Sequence, residues 1–469
     1  MNGLLTFFCL LVCLSIVLVV PTLVAPFAAT YGVVTVFDTS RAVLLCVALA
    51  TIAGLAAYRQ GVNGPFLLKL FIAALLIRMV LGTAIFVFKG QEFFGGDALT
   101  YDFFGFSQLS AWSGDKYYQR VVFQFIGGAE GSGWGMVYLV AAVYGLLGRN
   151  LLAVQLLNSV LGAATAFIIF LCAYQVFNNI RVARLAGVAV AFYPSLVLWS
   201  SQGLKDGPIV FFLVLSILAT LKLGEKLTLK YVVILVCSLF ALLSLRFYVF
   251  YMICVAIGGA FVIGMQTISA KSFVRQFAVM IMLGLALTYF GVTRYANLQY
   301  EQYGSLQQVQ RSRLDAATSA KSGFGKDVDV SSTAGALSTI PVGLLYLLFA
   351  PFPWQLASLR QSITLPEMVV WWASFPLLVL GLWFSIKYRL RMISPILIFM
   401  VMLSLAYSIF QGNVGTAYRQ RAQLLVFYFI FVAVGFVLML EKREERKRLG
   451  LAEKEALAAR MPVSALYRR

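Results

Sequence analysis

Asp97 follows directly on a strongly apolar segment that ends near Lys89, in the stretch Gly95-Gly96-Asp97-Ala98-Leu99-Thr100-Tyr101-Asp102. Two carboxylates with a tyrosine between them can accept protons and bind polar groups, and on a helix starting there Asp97 and Tyr101 share one face. The glycines allow a sharp turn out of the apolar run. An acid in this place is either a solvated helix cap or a working group, and the other charges bear on which. Lys205-Asp206 opens a later apolar run, and Arg246 interrupts a nearly continuous apolar stretch from Tyr231 to Met265. An arginine at bilayer depth costs about 2.5–3.5 kcal/mol, so Arg246 marks either a tight hairpin or a site. The segment Gly412 to Arg421 ends in Arg419 and Arg421 at the mouth of the last apolar run. Guanidinium suits phosphate, which it binds through paired hydrogen bonds. Acids and arginines at one membrane edge imply a general base toward an acceptor hydroxyl and cations for a phosphate leaving group.

The elements that must position these residues are set by composition. Hydrophobic residues make up 61% of the 469 and charged residues 12%, with a mean hydropathy of +0.89. A soluble core cannot use that much apolar surface, so the expected fold is an all-α polytopic membrane protein. The net charge of +19 does not imply a nucleic-acid partner. Lys and Arg mostly flank apolar segments, where they orient helices and meet anionic membrane lipids. The chain has no histidine, which excludes imidazole bases, His-metal sites and imidazole proton relays. Cys9, Cys13, Cys46, Cys172, Cys237 and Cys254 all lie inside apolar segments without a CxxC pair. They read as packing residues rather than a disulfide or metal framework. The run Leu4 to Phe27 is long for a signal peptide and lacks a preceding basic residue, so an uncleaved helix is expected.

Runs of spanning length fall near 4–26, 41–58, 67–89, 150–177, 185–202, 207–223, 229–245, 247–266, 274–292, 366–386, 392–411 and 422–441. Two shorter runs, 134–147 and 337–350, are predicted to dip into the outer face as half-buried helices. With that choice the basic linkers Arg59–Lys69, Arg181–Arg184, Lys222–Lys230, Lys271–Arg275, Lys387–Arg391 and the tail from Lys442 all fall on one side, as cytoplasmic linkers should. The prediction is about twelve spans with both termini inside. Two helices occupy 1–66, a membrane core 67–292 with a first outer loop at 90–149, a second outer loop 293–365, C-terminal spans 366–441, and a charged cytoplasmic tail 442–469. The polar stretch Asn297 to Ser332 is expected to be a mobile outer loop. Asp97, Asp206, Arg246, Glu367, Arg419 and Arg421 all meet on the outer side. No nucleotide donor is available there, so a lipid-phosphate donor is the chemically sensible one.

The chain resembles a GT-C glycosyltransferase, the membrane class of protein O-mannosyltransferases and lipid-A aminoarabinose transferases (the family-39-like group). The residues that carry the resemblance are Gly96-Asp97-x-x-x-Tyr101 after a span, the short helix Trp134–Leu147 closing with Gly148-Arg149-Asn150, and Asn158 in the next span. Tyr193-Pro194-Ser195, Lys205-Asp206-x-Pro208 and the late Tyr418-Arg419-x-Arg421 follow in order. The resemblance covers most of residues 67–440. It implies a catalytic base at Asp97 and a second site acid at Asp206, with donor and acceptor surfaces at the membrane interface. The chain departs from the family in the two spans before the family-like first one. After its last span, residues 442–469 form a short charged segment rather than a soluble domain of the oligosaccharyltransferase sort.

The leading expectation is an inverting glycosyltransferase of the bacterial inner membrane, working on the periplasmic face. It would move a sugar from a polyprenyl-phosphate donor to a lipid, glycan or protein acceptor. Arg419, Arg421, Arg246 and Lys205 are the candidates for the donor phosphate, while Tyr101 and Asp102 are candidates for substrate contact. Asp206 would support the acceptor or a divalent cation. Carboxylates of this kind can bind Mg²⁺ or Mn²⁺, and nothing in the sequence requires either. An O-antigen-type polymerase or ligase is the alternative, in which arginines dominate and Asp97 is dispensable. A transporter reading would want charges near mid-bilayer, whereas here they cluster at one face.

Overall fold

A computed structural model describes residues 35–88, 90–94, 96–126, 133–263, 270–289, 304–319, 322–356 and 359–460, with isolated positions at 12–23 and at 292. The predicted first span at 4–26 lies mostly outside the described residues. The described residues form helices and loops, with a single isolated bridge between Gly323 and Asn413. Eighteen α-helices matter for the site: α1 Val36–Tyr58, α2 Gly64–Val87, α3 Gly90–Phe93, α4 Asp97–Trp112, α5 Lys116–Ile126, α6 Trp134–Leu147, α7 Leu151–Phe177, α8 Ile180–Phe192 and α9 Pro194–Ser200 come first. Then follow α10 Asp206–Glu225, α11 Leu229–Leu245, α12 Phe247–Ile263, α13 Ala270–Tyr289, α14 Leu306–Ser319, α15 Thr333–Phe349, α16 Leu359–Phe410, α17 Val414–Gln420 and α18 Ala422–Arg460.

Six described helices are long and apolar enough to cross a bilayer, and the bent pair α8–α9 makes a seventh if it is one span. α16 has 52 residues, about 78 Å at 1.5 Å per residue and more than two bilayer cores. It breaks at Arg389, whose backbone is non-helical, within the basic linker 387–391. The two predicted runs 366–386 and 392–411 are thus the two arms of this helix. The chain is an all-α polytopic membrane protein.

α7 is the central post. It is buried almost from end to end and packs on α1, α2, α8 and α10. Gly162 lets α9 come against it, since a Cβ there would lie 2.4 Å from Ser200 Cβ. The bend of 55° between α8 and α9 falls where Pro194 cannot donate a backbone hydrogen bond and holds Tyr193 extended. The freed carbonyls need donors inside the membrane. Arg78 of α2, fully buried, supplies them: it donates to the carbonyls of Ala191 at 2.8 Å and Val190 at 3.4 Å and to Ser200 Oγ at 2.8 Å.

The polar stretch expected to be a mobile loop differs. Residues 306–319 form α14, which is fastened by the buried Arg313. Its guanidinium donates to the carbonyls of Ile409 at 2.9 Å and Gln411 at 2.6 Å. These carbonyls are left open where α16 ends, and a helix C-terminus attracts a cation. Residues 297–303 of that stretch lie outside the described residues.

Of the charged tail, residues 461–469 lie outside the described residues, and residues 442–460 continue α18 without a break. Glu444 on it meets Arg181 at 3.1 Å, an exposed pair that contributes little to stability but locates two basic segments at one end of the bundle. Ala422 opens the same helix beside Arg419, some 22 residues and about 33 Å away. The two ends are a bilayer apart.

Candidate functional site

At that far end, the helix termini of α4, α10, α12, α16 and α17 surround a cavity of about 1020 Å³. Gly96 adopts φ 79°, a left-handed conformation that only glycine takes readily, and so aims α4 with Asp97 in its first turn. The Asp97 side chain is 54% exposed on the cavity wall. Asp206 opens α10 and is placed by the loop before it. Asn158 of α7 donates to the carbonyls of Gln202 at 2.6 Å and Leu204 at 2.7 Å, which pins residues 202–204. The Asp206 side chain is 2% exposed.

Arg419 of α17 joins the two acids. Its Nε donates to Asp206 Oδ2 at 2.7 Å, its Nη2 lies 2.5 Å from the same oxygen in an ion pair, and its Nη1 donates to Asp97 Oδ2. The guanidinium also lies 5.7 Å over the Trp199 ring, a cation–π contact. Arg246 is the single non-helical residue between α11 and α12. It is both hairpin tip and buried cation, with Nη2 3.5 Å from Asp206 Oδ1. A buried carboxylate tolerates this depth because two guanidinium groups face it. Burial raises the Arg419 ion pair's importance while pulling the guanidinium itself down, and the carboxylates of Asp206 and Asp97 more than offset that pull.

Lys205 and Tyr101 also line the cavity. Burial, assisted by Arg246, pushes the Lys205 ammonium down to about 8. Burial and the charge of Asp206 push the Tyr101 hydroxyl above its usual value. Arg360, which sequence reasoning missed, lines the mouth 5.5 Å over the Phe93 ring. Its only signal was a basic residue just before an apolar run. Among the described residues, neither Lys205 nor Arg360 makes an ion pair.

Three expected site residues do not line this cavity: Asp206 lies buried behind Arg419, and Asp102 and Arg421 face elsewhere. Asp102 lies five residues after Asp97, 140° further around the helix, and faces α6. It accepts from Tyr144 OH at 2.5 Å and from Arg149 Nη2 at 2.5 Å and Nε at 3.2 Å, so it fastens α4 to the α6–α7 corner. Arg421, two residues after Arg419, turns to the opposite side and is buried. It donates to the carbonyls of Leu347 at 2.6 Å and Ala350 and to Met368 Sδ at 3.1 Å, capping the end of α15. Asp102→Asn is accordingly expected to lower the unfolding temperature and leave the protein's activity per folded molecule unchanged, measured by thermal unfolding beside an activity assay. A large loss of turnover at unchanged stability would return Asp102 to the site.

No protein-family model matches the chain, and no curated protein matches its sequence. Among solved structures it is similar to the archaeal oligosaccharyltransferase AglB from Archaeoglobus fulgidus in complex with an inhibitory peptide and a dolichol-phosphate. That likeness has a TM-score of 0.40 and 16% identity over 68% of this chain and 44% of the other. The apo form of the Archaeoglobus fulgidus oligosaccharyltransferase is similar at a TM-score of 0.39 and 15% identity, over 71% and 45%. This chain spans less than half the length of either.

Proposed function

We propose that the protein is a GT-C-type membrane glycosyltransferase that moves a sugar from a polyprenyl-phosphate-linked donor to a lipid, glycan or protein acceptor. The observation that carries the reading is Arg419 held between an exposed acid, Asp97, and a buried one, Asp206, on the wall of a large cavity at one end of the helix bundle. In the inverting reaction the acceptor hydroxyl loses its proton to Asp97 and its oxygen bonds to the anomeric carbon. The bond from that carbon to the phosphate oxygen breaks, and the electron pair leaves with the phosphate. Lys205, Arg360 and the N–H donors of Arg419 not spent on carboxylates receive the new charge. Asp206 acts on Arg419 and Arg246 rather than on substrate. The cavity lies at the end opposite Arg181 and Glu444, which supports a periplasmic site in a bacterial inner membrane.

The cations around the cavity also favour the polymerase or ligase alternative, in which Asp97 is dispensable. Mass spectrometry of lipid-linked sugars and surface glycans with and without the gene tests the class. Loss of the gene should leave a lipid-linked sugar unused and a glycan short of it, and unchanged pools overturn the reading.

Lys205 gives the site a pH signature. Its ammonium is present below about pH 8 and lost above, and a bound phosphate favours the charged form. Polyprenyl-phosphate affinity should therefore hold below pH 8 and fall by up to about tenfold per unit above it. Lys205→Arg should abolish this fall because guanidinium stays protonated. A flat pH profile in the parent protein would remove Lys205 from the phosphate site.

A further inference from the structure

Two acids on one guanidinium at a cavity wall are where a divalent cation would be sought: Asp97 lines the cavity and Asp206 lies buried behind Arg419. The residues present do not fit one. Asp206 Oδ2 accepts from Arg419 Nε with Nη2 at 2.5 Å from the same oxygen, its Oδ1 makes no hydrogen bond but is ion-paired with Arg246 at 3.5 Å, and Arg419 Nη1 holds Asp97 Oδ2. Among the described residues no group of three His, Cys, Asp or Glu side chains comes together, so a hard cation that wants six or more oxygens finds two carboxylates, both engaged. The other acid nearby, Glu367, is turned to Tyr418, whose hydroxyl donates to its Oε2 at 2.8 Å. Charge argues the same way. Lys205, Arg246, Arg360 and Arg419 reach the cavity against Asp97 and the buried Asp206, an excess of positive charge that opposes a dication.

We infer that the guanidinium of Arg419 is the resident cation of this site. It fills the place between Asp97 and Asp206 that Mg²⁺ or Mn²⁺ would take, and sugar transfer proceeds without a divalent metal. The catalytic half of this inference rests on the transferase reading, and the binding half does not. A guanidinium can do the same electrostatic work: it holds two acids apart at a fixed separation and keeps donors for a phosphate oxygen. Unlike a metal it cannot be exchanged or removed by a chelator.

The test pairs Mn²⁺ binding, read by the electron paramagnetic resonance of free Mn²⁺, with transfer after EDTA treatment, on the full chain in lipid nanodiscs. The parent protein should show a Mn²⁺ titration unaltered by Asp97→Asn and a transfer rate unaltered by EDTA. Arg419→Ala, which empties the place, should gain Mn²⁺ binding that Asp97→Ala in the same molecule removes. Stoichiometric Mn²⁺ binding in the parent that Asp97→Asn abolishes would overturn the inference, as would EDTA-silenced transfer restored by Mg²⁺ or Mn²⁺. Failure of Arg419→Ala to gain Mn²⁺ would refute the claim that the guanidinium stands in a metal's place. Should that variant not fold, the parent titration and the chelator assay decide alone. Absence of transfer under every condition would count against the transferase reading and leave the Mn²⁺ arm intact.

Discussion

Asp97→Asn should fold as the parent does and transfer sugar about 10²- to 10⁴-fold more slowly, the usual contribution of a general base. The amide has the size of the carboxylate and its oxygen can still accept from Arg419 Nη1, so the ends of α4 and α17 stay where they are. What it cannot do is take a proton. The same change removes a negative charge that competes for Arg419, so polyprenyl-phosphate affinity should be retained or strengthened. Rate down with donor binding intact is the signature of a base. Near-normal turnover in the purified variant would sink the assignment and favour the polymerase or ligase alternative. Loss of donor binding along with rate would mean that Asp97 serves only to hold Arg419.

The parts of this site that sequence alone made legible are those fixed by membrane sidedness. An acid or arginine at the end of an apolar run must lie at one face or the other, and the basic linkers say which. Asp97, Asp206, Arg246 and Arg419 could be grouped in this way although they are up to 322 residues apart. Direction around a short helix was not legible. Asp102 and Arg421 lie within five residues of Asp97 and Arg419, yet point elsewhere because each residue turns the helix by about 100°. Their partners Tyr144, Arg149, Leu347 and Ala350 come from other segments. Nor could the polar stretch around Arg313 be read as a helix, because what orders it is the pair of open carbonyls at Ile409 and Gln411, nearly a hundred residues on. Arg78, a lone charge within an apolar run, was not singled out by sequence. Its role became clear only with the bend at Tyr193-Pro194, which supplies the carbonyls it caps.

Arg419→Lys and Arg419→Gln should separate the chemistry of this guanidinium from its contribution to folding. One face of it holds the buried Asp206 through Nε and Nη2, and the other reaches Asp97 through Nη1. A lysine ammonium is a point charge and cannot serve both. It should stay with Asp206, because an uncompensated buried charge is the costliest outcome, and let Asp97 and the donor phosphate go. The expected result is an unfolding temperature near that of the parent with polyprenyl-phosphate affinity down about 10- to 150-fold, the equivalent of one charge-assisted hydrogen bond at roughly 1.5–3 kcal/mol. Glutamine leaves Asp206 with Arg246 alone at 3.5 Å. Removing one member of a buried ion pair costs about 3–5 kcal/mol, and the surviving arginine should keep the loss toward the lower end, so this variant should lose donor affinity and stability together. Arg421 provides the contrast. Arg421→Lys gives up paired contacts to the carbonyls of Leu347 and Ala350, and it should lower the unfolding temperature with donor affinity unchanged. Parent-like donor binding in Arg419→Lys, or weakened binding in Arg421→Lys at unchanged stability, would exchange the roles assigned to the two arginines and take the phosphate out of this cavity.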